Sequence, residues 1–362
     1  MMLNDLGRYF RREPFTAVLT LVIAGIFVLA FYFRGTVPHP VSGSQAPETN
    51  QTEAGVSEST GSSASADIQK AGEQMVEQIR ANKPLALTLS LIFVLVLAAG
   101  LLIDSVLFFG GREGHLKRFF TGPAPEVPWF VGDVFKVFIV LFFAELLISV
   151  ILGLWSALLK LSLERSTVVL MGGTMLRNVI AAIYVLYLIS KRYGAGLKEL
   201  GFRLAGAFRA AAIGIGAYFG FFPVYLVLLL GIMGILKIIG YEPPLQTVVE
   251  VVYEEKSAGA LVAASLVIAL LGPFFEEMFF RGFMYQAFRR KWGTAGAVIW
   301  VSVIFAAMHA HWVAFLPIFA LSSVLCVLFE TTGSLMPGIA LHVFHNLMTL
   351  ILMFQVKAFQ GP

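Results

Sequence analysis

The chemistry that this chain could perform is indicated by ionisable side chains that lie inside apolar sequence. Glu276, Glu277 and Arg281 fall within six residues of the run from Leu261 to Met284, which is otherwise almost entirely apolar. An ionised side chain at membrane depth costs roughly 2.5 to 3.5 kcal/mol even on lenient insertion scales. We therefore expect these three groups to have partners or a function.

Two later apolar runs repeat this pattern with histidines. His309 follows Phe305 by four residues and His342 precedes Asn346 by four, so each pair shares one face of a helix. His345 also lies near the face of His342, and spacing alone leaves open which imidazole points inward. A carboxylate, imidazoles and a donor amide are the parts that hydrolysis of an acyl bond by water requires.

The tandem glutamates are predicted to have different roles. Glu277 and Arg281 are four residues apart with the acid on the N-terminal side, the favourable order for an ion pair within a helix. Glu276 lies about 100° around the helix from Glu277 and so faces elsewhere. We expect Glu277 to be structural and Glu276 to be available for chemistry.

A turn near Gly293 would bring the first acid and the first histidine together. Glu276 lies 17 residues before Gly293, and His309 lies 16 residues after it. At a rise of 1.5 Å per residue, both would be about 25 Å from the tip of an antiparallel hairpin. The two side chains are therefore expected at similar depth on neighbouring helices.

The composition is that of a polytopic membrane protein. Hydrophobic residues make up 58% of the 362 positions and charged residues 13%, and the mean hydropathy is +0.83. Repeated apolar runs approach the ~20 residues needed to cross a bilayer, and helices satisfy their own backbone in lipid. We predict an all-α fold of a polytopic membrane protein with about nine transmembrane helices. The small net charge of +4 gives no reason to expect a nucleic-acid partner.

The apolar runs define the predicted spans and domains. The spans are Pro14–Phe33, Pro84–Phe109, Val134–Leu161, Thr167–Ile189, Phe208–Leu236, Ala258–Met284, Ala295–His311, Ala314–Phe329 and Pro337–Phe354. We divide the chain into an N-terminal membrane anchor (1–33), a disordered polar tether (34–83), an N-terminal helical membrane region (84–195) and a catalytic membrane domain (196–362).

The orientation is predicted from basic residues in short loops. Lys and Arg cluster around 8–12, 112–118, 191–209 and 289–291, at alternate ends of successive spans. Such ends are cytoplasmic under the positive-inside rule. We expect an integral protein of a bacterial inner (plasma) membrane with its N-terminus in the cytoplasm.

Three motifs resemble those of one protein family. Glu-Glu-Met-Phe-Phe-Arg (276–281), Phe-Ala-Ala-Met-His (305–309) and His-Val-Phe-His-Asn (342–346) are similar to EExxxR, FxxxH and HxxxN of the CPBP family. That family comprises the CaaX-protease and bacteriocin-processing (Abi-type) intramembrane endopeptidases. The order and intervals match, although the resemblance leaves residues 1 to about 190 unexplained.

The resemblance implies an α-helical fold with a catalytic chamber of a peptidase within the membrane. In such a chamber Glu276 and His309 activate water, while His342 and Asn346 support the oxyanion. Glu277, Arg281 and Phe305 would give structural support. The segment 197–202 is similar to the amphipathic entry segment of the family.

Metal dependence is left open by the sequence. The family is usually classed with metalloproteases, yet the chain has no HExxH pair. Glu276, His309 and His342 could still supply a carboxylate and two imidazoles to zinc from three helices. Water activation by Glu276 and His309 without a metal is the alternative.

Two further functions compete with the endopeptidase. The buried charges would suit a transporter or channel, but no internal repeat or pair of broken helices accompanies them. A catalytically idle scaffold or immunity protein would keep the fold for binding, but an intact set of three motifs argues against loss of activity. For the enzyme, the expected partners are the lipid bilayer and a peptide or protein substrate, either lipid-modified or membrane-embedded.

Overall fold

The computed structural model describes residues 93–102, 124–160, 166–203, 205–241 and 246–358, with Pro243 and scattered positions between 70 and 91. These residues form helices and no strand, which confirms the all-α class. The predicted first span and nearly all of the predicted tether lie outside the described residues. The predicted second span is described in part.

The described residues form the following helices in chain order. They are α1 (Phe93–Leu102), α2 (Val131–Leu159), α3 (Thr167–Tyr193), α4 (Ala207–Ile238), α5 (Thr247–Glu254), α6 (Ala258–Leu266), π1 (Val267–Leu271), α7 (Gly272–Glu277), π2 (Met278–Tyr285), α8 (Gln286–Met308), a 3₁₀ turn (Trp312–Ala314), α9 (Phe315–Thr332) and α10 (Met336–Ala358).

Six stretches of the described residues are long and apolar enough to cross a membrane. One of them, Ala258–Met308, contains 51 residues and would be about 75 Å long if it were straight, more than twice the ~30 Å hydrocarbon core. It includes two of the predicted spans. The protein is thus an integral, polytopic helical membrane protein, as the composition predicts.

The long stretch Ala258–Met308 is a hairpin. Gly293 has φ 71° and ψ 177°, which interrupts α8 in a conformation that L side chains rarely adopt. The Phe280 and Phe305 rings, on opposite sides of Gly293 and almost equally far from it, meet edge to face with centroids 4.8 Å apart. The predicted turn is confirmed, and its register places position 276 opposite position 309.

A buried carboxylate holds the tip of this hairpin against α9. Glu330 is fully buried and accepts hydrogen bonds from Tyr285 at 3.0 Å, from Arg289 at 2.9 Å and from Thr294 at 3.2 Å. These donors come from both sides of Gly293. The contact fixes the angle of the turn, and sequence analysis did not single out Glu330.

The predicted entry segment packs into the protein beside π2. Leu200 is fully buried, and its carbonyl would lie 2.9 Å from a Cβ placed at Gly282. Gln286 donates to the Glu199 carbonyl at 2.9 Å, and the Leu335 amide donates to the Gly201 carbonyl at 3.0 Å. This segment therefore packs against the first helix of the hairpin and stabilises it.

Helices α4 and α10 approach each other closely at Gly214. A Cβ at Gly214 would lie 2.1 Å from the Pro337 carbonyl oxygen, whereas a Cβ at Gly216, on the same helix, would meet nothing within 4 Å. Only the first position therefore requires glycine for packing.

Alanine at these two glycines should have opposite effects on stability. We expect Gly214→Ala to destabilise the protein by about 1–3 kcal/mol through overpacking against backbone. Gly216→Ala should be neutral or slightly stabilising, because alanine is the better helix former. Thermal unfolding in detergent would measure both variants, and equal melting temperatures would contradict the close approach.

Candidate active site

The tandem glutamates lie on a short α-helical segment between two π-helices. Helix α7 ends at Glu277, with π1 before it and π2 directly after it. The π-helices turn the flanking backbone away from regular α geometry, a deviation that is frequent at functional sites. The Glu276 side chain is 30% exposed and that of Glu277 is fully buried. The two carboxylates face different surroundings, as predicted.

Glu277 is held by two donors from different helices. Its Oε1 accepts from Arg281 Nη1 at 2.9 Å and from His342 Nδ1 at 3.1 Å. Arg281 is fully buried as well, and its Nη2 donates to the Ser322 hydroxyl at 2.8 Å. The predicted ion pair within the helix is confirmed, and it extends to α9 and α10.

Glu277 determines how His342 is oriented. An ionised carboxylate can accept hydrogen bonds but cannot donate them, so the proton of this contact lies on His342 Nδ1. The other ring nitrogen, Nε2, points towards Glu276 and lies 3.8 Å from its Oε2. A carboxylate behind an imidazole that faces a second carboxylate is an arrangement suited to proton transfer.

The structure distinguishes the two histidines of the last motif. His345 packs between Tyr218 and Tyr225 of α4, with ring centroids 5.9 and 5.2 Å away. It therefore faces away from the glutamates. His342 is the imidazole that reaches them, a choice that spacing alone left open.

The Phe305 ring lies next to the Arg281 guanidinium and to the rings of His309 and His342. It is 1% exposed and lies 4.6 Å from the Arg281 guanidinium, 4.8 Å from the His309 ring and 5.8 Å from the His342 ring. The ring offers its negative face to the cation. Phe305 thus spaces the two histidines and shields the buried ion pair.

His309 directly follows the last residue of α8 as its C-cap and is exposed. Its Nδ1 lies 2.7 Å from the Phe305 carbonyl oxygen. Because a carbonyl only accepts, Nδ1 carries the proton and Nε2 of the neutral ring is left as an acceptor. Glu276 approaches His342, and His309 reaches this cluster through the Phe305 ring.

Asn346 lies one turn beyond His342 on α10, as the four-residue spacing predicts. Its Nδ2 donates to the Ile268 carbonyl oxygen of π1 at 2.9 Å. One amide hydrogen is thus engaged with the π-helix and one is left for another acceptor. Asn346 joins α10 to the helix that carries Glu276.

The donor set does not fit a zinc ion in this structure. Catalytic zinc takes three protein ligands at about 2.0–2.2 Å. Among the described residues, no group of three His, Cys, Asp or Glu side chains is placed to hold a metal ion. Glu276 and His342 approach each other at 3.8 Å, whereas His309 forms no such group with them.

Comparison with known families agrees with the motifs. Residues 258–348 match the family model "Type II CAAX prenyl endopeptidase Rce1-like". The chain carries a domain of the CPBP family over these residues, which include all three motifs. The match supports a CAAX-protease-like intramembrane endopeptidase at the level of the family. Searches of curated proteins and of solved structures found no match.

Proposed function

We propose that the protein is an intramembrane endopeptidase whose water is activated by Glu276 and His309. The observation that carries the proposal is the pair formed by Glu276 and His342, 3.8 Å apart on two helices at membrane depth. The second carboxylate, Glu277, holds the far side of that imidazole. Residues 258–348 match a peptidase family, and the hydrolysis that such a family performs needs a carboxylate and an imidazole placed as Glu276 and His342 are.

The proposed reaction begins with proton transfer to Glu276. The carboxylate takes a proton from a water molecule whose second hydrogen bond is accepted by His309 Nε2. The hydroxide attacks the carbonyl carbon of the peptide bond and gives a tetrahedral intermediate with a negatively charged oxygen. Glu276 then passes its proton to the leaving nitrogen, the C–N bond breaks, and a carboxylic acid and an amine are released.

The oxyanion would be bound by His342 and Asn346. Since His342 Nδ1 donates to Glu277, Nε2 can donate as well only when the ring is an imidazolium. Asn346 offers the amide hydrogen that Ile268 leaves unused. A donor aimed at a developing oxyanion is worth about 2.7–4 kcal/mol in a serine protease.

Zinc is the alternative means of water activation. Its ligands would be Glu276, His309 and His342, which requires His309 to approach the other two. The effect of a chelator on hydrolysis distinguishes this alternative from activation by side chains.

The proposed substrate is a peptide or protein segment that reaches the site from the membrane. It is either lipid-modified, as the family's CAAX prenyl name suggests, or itself membrane-embedded. We further propose that the protein resides in a bacterial inner membrane with its N-terminus in the cytoplasm, from the alternation of basic loops.

A hydrolysis assay in ¹⁸O-labelled water tests the proposal. Purified full-length protein in lipid vesicles would be given three peptides: a farnesylated CaaX peptide, the same peptide without the lipid, and a transmembrane segment. We expect cleavage of at least one, with a single ¹⁸O atom in the new carboxylate by mass spectrometry. A folded protein that cleaves none of them would count against an endopeptidase and favour the transporter or scaffold.

The same assay addresses the metal. Cleavage that persists after dialysis against a strong chelator would support water activation by side chains alone. Cleavage that is lost on chelation and returns with Zn²⁺ would support the zinc alternative.

A further inference from the structure

An ion pair between α2 and α3 lies far from either end of both helices. Glu145 is the central residue of α2, and Arg177 is ten residues from the start of α3. Arg177 Nη1 donates to Glu145 Oε2 at 2.8 Å, and its Nη2 donates to the Thr174 hydroxyl at 2.9 Å. At 1.5 Å per residue, Glu145 is about 21 Å from both ends of α2, close to mid-membrane.

Both side chains of this ion pair are partly exposed at a depth where hydrocarbon would surround them. The side chains of Arg177 and Glu145 remain 38% and 48% exposed. Charged groups within transmembrane segments almost always face protein or a water-filled cavity, because hydrocarbon solvates neither charge. A half-exposed pair at this depth is thus expected to have further protein against it.

The helix that carries Glu145 is also the least packed of the candidate spans. Only 6% of its most apolar stretch is buried, against 17–33% for the other five. On α3, Gly173 lies one turn before Arg177 on nearly the same face, and a Cβ there would meet nothing within 4 Å. Small residues at such a place allow another helix to approach closely.

The charges of this ion pair favour a second copy of the chain as the protein that covers it. A twofold axis parallel to the membrane normal keeps every residue at its own depth. A second copy related by that axis brings its Arg177 against this Glu145 and its Glu145 against this Arg177, as a self-complementary interface requires. A partner of another sequence would need to carry a matching acid and base at the same depth.

We propose that the α2–α3 face, centred on Glu145, Gly173 and Arg177, is a homodimer interface within the membrane. Two copies meet there and their two ion pairs form one cluster of four alternating charges. The interface is independent of the proposed peptidase chemistry, because none of its residues belongs to the candidate active site.

Fluorescence energy transfer between differently labelled copies in lipid vesicles tests the interface. We expect dimers of the wild-type protein at protein-to-lipid ratios where Glu145→Arg and Arg177→Glu, each carrying only like charges, show at least tenfold less transfer. Mixing the two single variants should restore transfer, and so should the double exchange Glu145→Arg with Arg177→Glu in one chain. Leu230→Ala, at a 61% exposed position of α4, should leave transfer unchanged.

A neutral variant guards against misfolding of the charge variants. Glu145→Leu with Arg177→Leu replaces the pair by residues that lipid accommodates, and it should fold yet dimerise at least tenfold more weakly. A wild-type protein that remains monomeric would overturn the proposal. So would a Leu/Leu variant that dimerises as strongly as the wild type.

Discussion

Replacement of Glu276 by glutamine is expected to lower the rate of peptide hydrolysis by about 10²–10⁴-fold. Glutamine keeps the size and hydrogen-bonding reach of the side chain but has no basic oxygen to take the proton of water. Because the Glu276 side chain is 30% exposed and the ion pair of Glu277 remains intact, the fold should be unaffected. Single-turnover cleavage of the best vesicle substrate would measure the loss.

A matched control comes from another glutamate of the chain. Glu254→Gln, at an exposed position in the last turn of α5, makes the same chemical change away from the site and should leave the rate within a factor of two or so of wild type. If Glu276→Gln retained wild-type activity while folded, Glu276 would not be the general base.

Loss of Arg281 should be the most destabilising change in the site. Arg281→Ala removes the cationic partner of the buried Glu277 carboxylate and leaves it only the hydrogen bond from His342, which costs about 3–5 kcal/mol. It also empties the space against the Phe305 ring. Thermal unfolding in detergent should show a large fall in melting temperature. A fall of less than a degree or two would contradict the role of the pair.

A double variant separates stability from positioning. Glu277→Leu with Arg281→Leu removes both charges and should recover most of the stability, because apolar replacement of a buried ion pair is often neutral or better. His342 would then have no carboxylate at Nδ1, so we expect hydrolysis to stay at least tenfold below wild type. Wild-type activity in this variant would show that Glu277 acts on stability alone.

The hairpin could be predicted because its determinants are local. The glycine at 293 and the equal intervals to Glu276 and His309 specify both the turn and the register, and the contact of Phe280 with Phe305 confirms them. The intrahelical pair of Glu277 and Arg281 likewise depends only on a four-residue spacing.

The tertiary part of the site was beyond reach of the sequence. Helical spacing placed His342 and His345 almost equally well, and the packing of Tyr218 and Tyr225 from α4 decides between them. The contact of His342 with Glu277 crosses 65 residues of chain. No periodicity within one helix indicates such a contact.

The π-helices and Glu330 were missed for similar reasons. No residue pattern in Val267–Leu271 or Met278–Tyr285 distinguishes them from α-helix, and Asn346 supplies a partner to π1 from another element. Glu330 ends an apolar run and looks like an interfacial acid. Its burial depends on Tyr285, Arg289 and Thr294 arriving from the hairpin.

The π-helices also set the direction in which Glu276 points around its helix. One residue in an α-helix corresponds to about 100° of rotation about the helix axis. Each extra residue in a π turn therefore rotates the side chains before the turn relative to those after it. Because π1 precedes α7 and π2 follows it, the direction of the Glu276 side chain depends on the number of residues in both π-helices. Length changes in this helix are consequently far less tolerable than changes of side chain, since a single deletion would swing the acid out of line with α10.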